Sequence, residues 1–322
     1  MFADLALIAV ATEAIIGYPD AVYRLVGHPV IWIGRLIAWC DRAWNSPALP
    51  FEARRWRGVV ALLLVLAIAV AAGVAVTSIL AHFFPAILAL VLAGVLASSL
   101  LAQRSLDAHV ADVALALERD GIEAGRRAVS QIVGRETKSL DEAAVCRAAI
   151  ESLAENFSDG VVAPLFWMVL AGLPGALAYK AINTADSMIG HKSQRHLAFG
   201  GASARCDDLV NLPASRLSAL WLVLAAALLG LSPGRALATV RRDAGHHRSP
   251  NAGWPEAAMA GALGIRLSGP RIYDGLPVEE RWVGEGRSEL SARDIRLALK
   301  LYRVACGLQI AALAVLVVSL RL

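Results

Sequence analysis

Acidic residues recur at helical spacing directly before an apolar segment of the chain. Glu151, Glu155 and Asp159 stand four positions apart, so they share one face of a helix. Three carboxylates in register at a membrane boundary repel one another unless a cation lies among them, and proteins bind Mg²⁺ through carboxylates together with substrate phosphates. The row therefore predicts a metal site. The alternative is a solvated acidic helix end that is capped by Asn156 or Ser158.

Two further segments combine carboxylate and amide side chains. Asn183 and Asp186 are three positions apart and would face one way on a helix. Asp207 and Asn211 are four positions apart, and Asp208 is three positions from Asn211. A helical hairpin would present these two groups to each other. One such pair is common in proteins, whereas two pairs that flank a basic loop indicate a functional site.

Basic residues lie around the two pairs. Lys192 and Arg195 follow the first pair, and Arg205 precedes the second. Carboxylates for Mg²⁺ beside Lys and Arg for phosphate oxygens are what a metal–nucleotide complex requires. The alternative, a polar turn between two membrane segments, explains the basic residues but not Asn183 and Asp186 in their apolar context. The functional interpretation is therefore favoured.

The segment 249–256 has the sequence Ser-Pro-Asn-Ala-Gly-Trp-Pro-Glu. Its small residues would let a ligand approach the backbone, and Trp254 offers a flat apolar face. Asn251 and Trp254 are therefore candidate ligand-binding residues. A Gly/Pro-rich loop with a helix start at Pro255 explains the same segment equally well.

The composition places these polar groups in a membrane protein. Of the 322 residues, 57% are hydrophobic and 18% are charged, and the mean hydropathy is +0.57. A soluble domain of this length would need more charge to cover its surface. Several apolar runs reach the length of about 20 residues with which a helix crosses a bilayer. The predicted membrane segments are 2–17, 58–80, 83–102, 161–181, 216–231 and 304–320.

The segment 161–181 is interrupted by Pro164 and by the Gly-Leu-Pro-Gly stretch 172–175. Broken helices at membrane depth are tolerated where they line a protein cavity. We therefore expect a re-entrant or broken helix here. A re-entrant hairpin would return residues 182–214 to the side of the preceding loop, whereas a full crossing would place them on the opposite side. We favour the hairpin, which places the candidate active site in the cytoplasm, because the stretch carries the candidate catalytic residues and ATP is cytoplasmic. The basic residues of 232–303 favour the same side. The sequence alone does not decide between the two arrangements for either stretch.

The placement of charge indicates sidedness and excludes one class of partner. The net charge is +4, but arginines flank hydrophobic ends, as at 54–57 (Arg-Arg-Trp-Arg) and at Arg303. This positive-inside pattern with an interfacial Trp assigns the loops 18–57 and 103–160 to the cytoplasm, and no nucleic acid partner is expected. The expected fold is an all-α, polytopic integral membrane helical bundle with large cytoplasmic helical loops. It would form a single membrane-embedded catalytic domain over 1–322.

Six stretches of the chain together resemble one known family. They are 27–30 (Gly-His-Pro-Val), 33–36 (Ile-Gly-Arg-Leu), 151–160 (Glu-Ser-Leu-Ala-Glu-Asn-Phe-Ser-Asp-Gly), 183–192 (Asn-Thr-Ala-Asp-Ser-Met-Ile-Gly-His-Lys), 204–211 (Ala-Arg-Cys-Asp-Asp-Leu-Val-Asn) and 250–255 (Pro-Asn-Ala-Gly-Trp-Pro). In this order they closely resemble the CobD/CbiB family, the adenosylcobinamide-phosphate synthases of cobalamin biosynthesis. The resemblance covers essentially the whole chain.

The resemblance implies a multi-pass ligase of the cell inner membrane that forms an amide from an acid and an amine. Such an enzyme joins adenosylcobyric acid, at one propionate of the corrin ring, to (R)-1-aminopropan-2-ol or its O-phosphate. ATP is the expected co-substrate and Mg²⁺ the expected cofactor, and the corrinoid, the amine and the lipid bilayer are the expected partners. The sequence leaves open which amine is used. It also leaves open a homo-oligomer or contact with other membrane enzymes of cobalamin assembly.

Amide formation assigns hypothetical roles to the residues named above. The metal ligands would be Glu155, Asp159, Asn183 and Asp186. The catalytic residues would be Asp186, Lys192, Asp207 and Asp208, with one of the last two as the base. Substrate and nucleotide would be bound by Lys192, Arg195, Arg205, Asn211, Asn251 and Trp254.

Two other functional classes fit the same residues. A membrane transferase that depends on a Mg²⁺-diphosphate, such as a prenyltransferase, would use paired Asp/Asn motifs without ATP. A corrinoid transporter or scaffold would line a pathway with the buried acids, and it would move its substrate without turnover.

Overall fold

The computed structural model describes residues 2–134, 136–269, 271–273, 276–278 and 281–322. Its helices are α1 (Phe2–Ile16), α2 (Asp20–Val26), α3 (Pro29–Trp44), α4 (Phe51–Phe83), α5 (Ala86–Ser98), α6 (Gln103–Asp120), α7 (Ile122–Val129), α8 (Glu142–Phe157), α9 (Ala163–Ile189), α10 (Gly201–Leu228), α11 (Pro233–Asp243), α12 (Gly253–Leu263) and α13 (Ala292–Ser319). Short strands, which the sequence analysis did not anticipate, are β1 (Leu267–Ser268), β2 (Arg271–Tyr273), β3 (Leu276–Val278) and β4 (Trp282–Val283). They pair antiparallel, β1 with β4 and β2 with β3.

Five helical stretches among the described residues are long and apolar enough to cross a membrane. They are Phe51–Phe83, Ala86–Asp120, Glu142–Ile189, Gly201–Leu228 and Ala292–Ser319. The predicted all-α, multi-pass membrane bundle is therefore confirmed. The predicted segment 2–17 forms α1, which at 15 residues is shorter than these five stretches.

The chain folds into two compact units. The first comprises Met1–Ala102, Ala163–Asn211 and Leu313–Leu322, and the second comprises Gln103–Val162 and Leu212–Ala312. Within the first unit, α9 packs against α1, α3 and α4. Within the second unit, α8 packs against α6, α7 and α12, and α11 packs against α12.

Local signals in the sequence determine where the helices of the second unit begin. Helix α8 follows Asp141, whose carboxylate accepts a hydrogen bond from the Ala144 N–H at 2.7 Å and so caps the helix. Helix α7 follows Gly121, whose φ of 78° favours glycine. The helical character that the sequence predicts for 103–160 is thus confirmed for α6, α7 and α8.

Helix α9 is broken where the sequence predicts an interruption. Ala171 and Gly172 have non-helical backbone angles, and the φ of Gly172 is 64°. A Cβ at Gly172 would also lie 3.0 Å from the ring of Phe2 in α1. Pro174 follows, and it has no N–H with which to continue the helical hydrogen bonds. The predicted break within 161–181 is confirmed.

The chain bends sharply at this break. In a straight helix, Trp167 and Tyr179 would be about 18 Å apart along the axis, at 1.5 Å per residue. Instead, Trp167 Nε1 donates to the Val210 carbonyl oxygen at 3.1 Å. The Tyr179 hydroxyl donates to Oδ1 of Asn211, the residue that follows Val210, at 2.9 Å. A Cβ at Gly175 would lie only 2.6 Å from the Trp167 carbonyl oxygen, so glycine is needed inside the bend.

Helix α4 runs along the second part of α9. A Cβ at Gly73 would lie 2.7 Å from Pro174 Cα, and a Cβ at Gly58 would lie 1.9 Å from the Phe199 carbonyl oxygen. Glycines at both points therefore let the backbones touch. The core here is formed by small and branched residues with one aromatic ring: Ile37, Cys40, Ala61, Leu62, Val65, Ala69, Ala181, Ile182, Ala185, Ile189 and Phe199.

Replacing Gly58 with alanine is expected to destabilise the first unit, because the added carbon would overlap the Phe199 carbonyl oxygen. Overpacking of this kind costs about 1–3 kcal/mol. We expect a lower apparent melting temperature for the detergent-purified protein, followed by tryptophan fluorescence.

The matched control is Gly307→Ala in α13, where nothing lies within 4 Å of an added Cβ. Alanine favours a helix over glycine by about 0.5–1 kcal/mol, so this variant should melt at or above the wild-type temperature. Equal melting temperatures for the two variants would contradict the close packing of α4.

Candidate active site

A hydrogen-bonded network joins the second part of α9 to the start of α10. The Asp207 carboxylate accepts from Asn211 Nδ2 at 3.0 Å and from Asn183 Nδ2 at 3.4 Å. The Tyr179 hydroxyl donates to Asn211 Oδ1 at 2.9 Å. Asp207, Asn211 and Tyr179 are all buried. The structure thus brings the two Asp/Asn pairs together, and it adds a tyrosine that the sequence analysis did not single out.

In the turn between α9 and α10, the backbone at Gly200 lies close to the backbone at the end of α9. A Cβ at Gly200 would lie 1.6 Å from the Ile189 carbonyl oxygen, so only glycine fits where the chain returns. The Gly190 N–H donates to the Asp186 carbonyl oxygen at 2.7 Å. A Cβ at Gly190 would lie 1.9 Å from Asp186 Oδ1. The carboxylate of Asp186 therefore occupies the space that a side chain at position 190 would need.

Three carboxylates gather at the α9–α10 turn. Asp207 lies within electrostatic range of Asp186 and Asp208, and Asp186 lies within range of Asp208. Basic groups are close by, because Lys192 interacts with Asp208 and His191 interacts with Asp186. Like charges at this separation repel, so the turn favours a bound cation or a proton among the acids.

The oxygen atoms of this turn suit a magnesium–nucleotide complex rather than a metal cage. Among the described residues, no three His, Cys, Asp or Glu side chains are arranged to hold a metal ion. Mg²⁺ that accompanies a nucleotide needs only one or two carboxylates, because the phosphates supply further oxygens. Asn183, Asp186 and Asp207 offer such hard donors, Lys192 is exposed and interacts with Asp208, and Arg205 is exposed on the first turns of α10. The donor set therefore fits the predicted ion.

Asp41 of α3, which the sequence analysis did not single out, anchors the turn. Its carboxylate accepts from Arg195 Nη2 at 2.8 Å and from Asn45 Nδ2 at 2.7 Å, and His196 Nε2 lies 3.4 Å away. Burial alone would raise the pKa of the Asp41 carboxyl, but the hydrogen bonds from Asn45 and Arg195 hold it below its ordinary value. Asp41 thus already engages the Arg195 guanidinium, and phosphate binding by Arg195 stays a prediction.

The same turn contacts the arginine-rich start of α4. The Arg195 carbonyl oxygen accepts hydrogen bonds from Asn45 Nδ2, at 3.0 Å, and from Arg54. Arg54 Nε also donates to Asn45 Oδ1 at 2.8 Å. The turn 190–200 therefore lies at the end of α4 that carries 54–57, which is the arrangement expected for a re-entrant segment.

The predicted row of acidic residues (Glu151, Glu155 and Asp159) lies in the second unit, and its three members differ in burial. Glu151 is buried and accepts from the Ser268 N–H at 2.7 Å, which ties α8 to β1. Glu155 is exposed and Asp159 is half-buried. The segment Ser158–Val162 forms a π-helical turn, so the spacing of an α-helix does not extend to Asp159. Metal binding by Glu155 and Asp159 stays a prediction.

Ser268, which contacts Glu151, also contacts a second buried carboxylate, that of Glu256. Its hydroxyl donates to Glu256 Oε2 at 3.2 Å, and its φ of 58° is unusual for a residue with a side chain. His247 Nε2 lies 3.8 Å from Glu256 Oε1. The Glu151 carboxylate therefore serves a connection between α8, α12 and β1.

The predicted ligand-binding loop of the second unit is organised around an arginine. Asn251 Oδ1 accepts from Ser215 Oγ at 3.1 Å and from Arg216 Nη1 at 2.9 Å. The guanidinium carbon of Arg216 lies 4.4 Å from the centroid of the Trp254 ring. Arg216 is not among the site residues predicted from the sequence. The available signal was a lone arginine at the start of the apolar segment 216–231, where charge is costly.

The chain is similar to known proteins over nearly its full length. The family model described as CobD/Cbib protein matches residues 6–302. A relative from Sinorhizobium sp is 53% identical over 303 residues, which cover 93% of each chain. A relative from Rhizobium meliloti (strain 1021) is 50% identical over 313 residues, 96% of this chain and 94% of its own. A relative from Rhodobacter capsulatus is 49% identical over 306 residues, 94% of each chain.

All three of these relatives carry the name cobalamin biosynthesis protein CobD. No solved structure matches the chain. The family match and the extent of these similarities lead to one conclusion: the chain belongs to the CobD/CbiB family.

Proposed function

We propose that this chain is an ATP-dependent ligase that attaches (R)-1-aminopropan-2-ol, or its O-phosphate, to a propionate of adenosylcobyric acid. Membership of a family named for cobalamin biosynthesis supports a corrinoid substrate. The observation that carries the proposal is the network at the α9–α10 turn, where Asp207 is held by Asn183 and Asn211 beside Asp186. Acids, amides and cations in one place are what phosphoryl transfer followed by amide formation needs.

The proposed reaction has two steps, because a carboxylate is a poor acyl donor. A carboxylate oxygen of the propionate attacks the γ-phosphorus of ATP, the bond to the bridging oxygen of ADP breaks, and an acyl phosphate forms. The amine nitrogen then attacks the acyl carbon, and phosphate leaves. The nitrogen loses two protons on the way from ammonium to amide, and the base passes them to phosphate and solvent.

The residues of the turn would divide this work among them. Asp207 would act as the base, since the amides of Asn183 and Asn211 fix its oxygens in one orientation. Asp186 would bind the metal–nucleotide complex together with Asn183. Mg²⁺, when bound, would neutralise part of the triphosphate charge. Exposed Lys192 would hold phosphate oxygens.

Three further predicted residues would serve the other substrates. Arg205, exposed on the first turns of α10, would bind a second phosphate group. In the second unit, Asn251 and Trp254 would contact the corrinoid, for which the flat face of the indole is suited. These three residues keep the ligand-binding roles that the sequence predicts for them.

We also propose that the α9–α10 turn faces the cytoplasm at the inner membrane. The turn contacts Arg54 at the arginine-rich end of α4. Lys and Arg next to a membrane helix favour the cytoplasmic side. ATP is available on that side, so the location agrees with the proposed reaction.

Replacing either Asp186 or Asp207 with alanine is expected to lower amide formation by about 10²–10⁴-fold, because a nucleotide-binding or proton-accepting group is lost. The measurement uses purified protein with ATP, Mg²⁺, adenosylcobyric acid and aminopropanol phosphate, and it scores the corrinoid amide by mass.

The matched control is Glu52→Gln, which changes an exposed carboxylate in the first turn of α4. It should retain wild-type turnover. Full activity in Asp207→Ala would remove Asp207 from the mechanism. Isoprenoid transfer without ATP, or corrinoid uptake without amide formation, would contradict the proposed function itself.

A Gly190→Ala substitution tests the position of the Asp186 carboxylate. The new Cβ would overlap Asp186 Oδ1 and displace that side chain, and it would also lie 2.7 Å from the Asp186 carbonyl oxygen. We therefore expect a lower melting temperature and, at temperatures where the variant is folded, at least a tenfold lower kcat/KM for ATP. Gly201→Ala is the control, because an added Cβ there meets nothing within 4 Å. Equal kcat/KM values for the two variants would show that the position of this carboxylate is unimportant.

A further inference from the structure

Several arginines of the second unit have an acidic partner, whereas Arg216 has none among the residues that the structure describes. Four of them form ion pairs, in the combinations Arg242–Asp243, Arg287–Asp294, Arg296–Glu118 and Arg303–Asp107. In the part of the chain that the structure describes, no carboxylate lies within ion-pair distance of Arg216. None of the described carboxylates therefore compensates its charge.

The guanidinium of Arg216 is nevertheless held firmly. Its Nη1 donates to Asn251 Oδ1 and to Ser215 Oγ, each at 2.9 Å, and to the Leu212 carbonyl oxygen at 3.3 Å. Asn251 is 5% exposed and Ser215 is fully buried, so these acceptors are fixed by the surrounding core. The ring of Trp254 covers one face of the guanidinium.

These contacts use only Nη1, one of the three nitrogens of the guanidinium. An arginine has five N–H donors, and the Nε and Nη2 groups of Arg216 make no hydrogen bond with any described residue. Arg216 is half-buried, so part of its side chain is accessible to solvent. The Nε–Nη2 edge is the one that binds a phosphate or carboxylate through two parallel hydrogen bonds.

The position of Arg216 makes an uncompensated charge expensive. It lies in α10, a helix long and apolar enough to cross a membrane, at the start of the segment 216–231. Ionisable residues in such segments are costly and normally pair with another charge or bind a ligand. A preoriented guanidinium on a partly accessible side chain is suited to a ligand.

We propose that Arg216, oriented by Asn251 and Trp254, is a binding site for a phosphate group of a substrate. Two sources of phosphate exist within the proposed function, the nucleotide and the phosphorylated amine. The inference rests on the proposed function only in naming which substrate supplies the phosphate. The capacity to bind phosphate follows from the geometry around Arg216 alone.

The direct test is titration of the full-length, detergent-purified protein with inorganic phosphate by calorimetry. Loss of a charge-assisted bidentate contact should weaken binding in Arg216→Gln by about tenfold or more. Arg303→Gln, which removes an arginine already paired with Asp107, is the matched control and should bind as the wild type does. Wild-type phosphate affinity in Arg216→Gln would overturn the proposal.

A second variant guards against a general loss of folding. Arg216→Lys keeps the charge but lacks the planar fork, so it should melt near the wild-type temperature and still bind phosphate several-fold more weakly. Unchanged affinity in a folded Arg216→Lys protein would mean that no bidentate contact exists, and it would also overturn the proposal.

Steady-state kinetics then separate the sources. If the site holds the phosphorylated amine, Arg216→Gln raises the KM for aminopropanol phosphate about tenfold and leaves that for free aminopropanol unchanged. If it holds the nucleotide, the KM for ATP rises with either amine. A rise confined to adenosylcobyric acid would identify a carboxylate site and contradict the proposal. A wild-type protein that binds phosphate but forms no amide would refute the proposed function and leave the phosphate site standing.

Discussion

A carboxylate buried in an apolar helical bundle must receive hydrogen bonds, and Asp207 receives them from two helices. Asn211 lies one turn further along α10, Asn183 reaches across from α9, and Tyr179 fixes the orientation of Asn211. Leaving a buried charge without donors costs several kcal/mol, so the pairing of α9 with α10 and the network depend on each other. The placement of Asp186 beside this network follows, because it is on the same stretch of α9 as Asn183.

Close backbone contact makes that network reachable. Asp and Asn have short side chains, so two helices can share hydrogen bonds through them only where little bulk separates the helices. Gly200 provides this at the α9–α10 turn, and Gly58 provides it where α4 meets Phe199. Gly190 has a more specific use, since its missing side chain admits the carboxylate of Asp186. Small residues therefore bring polar groups together in a bundle whose surface is apolar.

Periodicity and composition predicted much of this arrangement, but they could not predict which residues surround each side chain. The Gly-Leu-Pro-Gly stretch 172–175 predicted the break in α9, since only its local backbone preferences mattered. Helical spacing grouped Glu151 with Glu155, yet the chain buries the first against β1 and exposes the second, because neighbours distant in sequence decide burial. For the same reason, Asp41 as the partner of Arg195 could not be found from spacing. A binding role for Arg216 follows only from its contacts with Asn251 and Trp254, which the sequence does not show.

The most direct test of the account is a double-mutant cycle on kcat/KM for amide formation with Tyr179→Phe and Asn211→Ala. Tyr179 donates to Asn211, which in turn donates to Asp207, so each single variant should lose activity. In the Asn211→Ala background, Tyr179→Phe should then cause no further loss, which gives a coupling free energy of about 0.5–3 kcal/mol. Losses that simply multiply would mean that the two residues act independently, and a network holding Asp207 in place could not then be maintained.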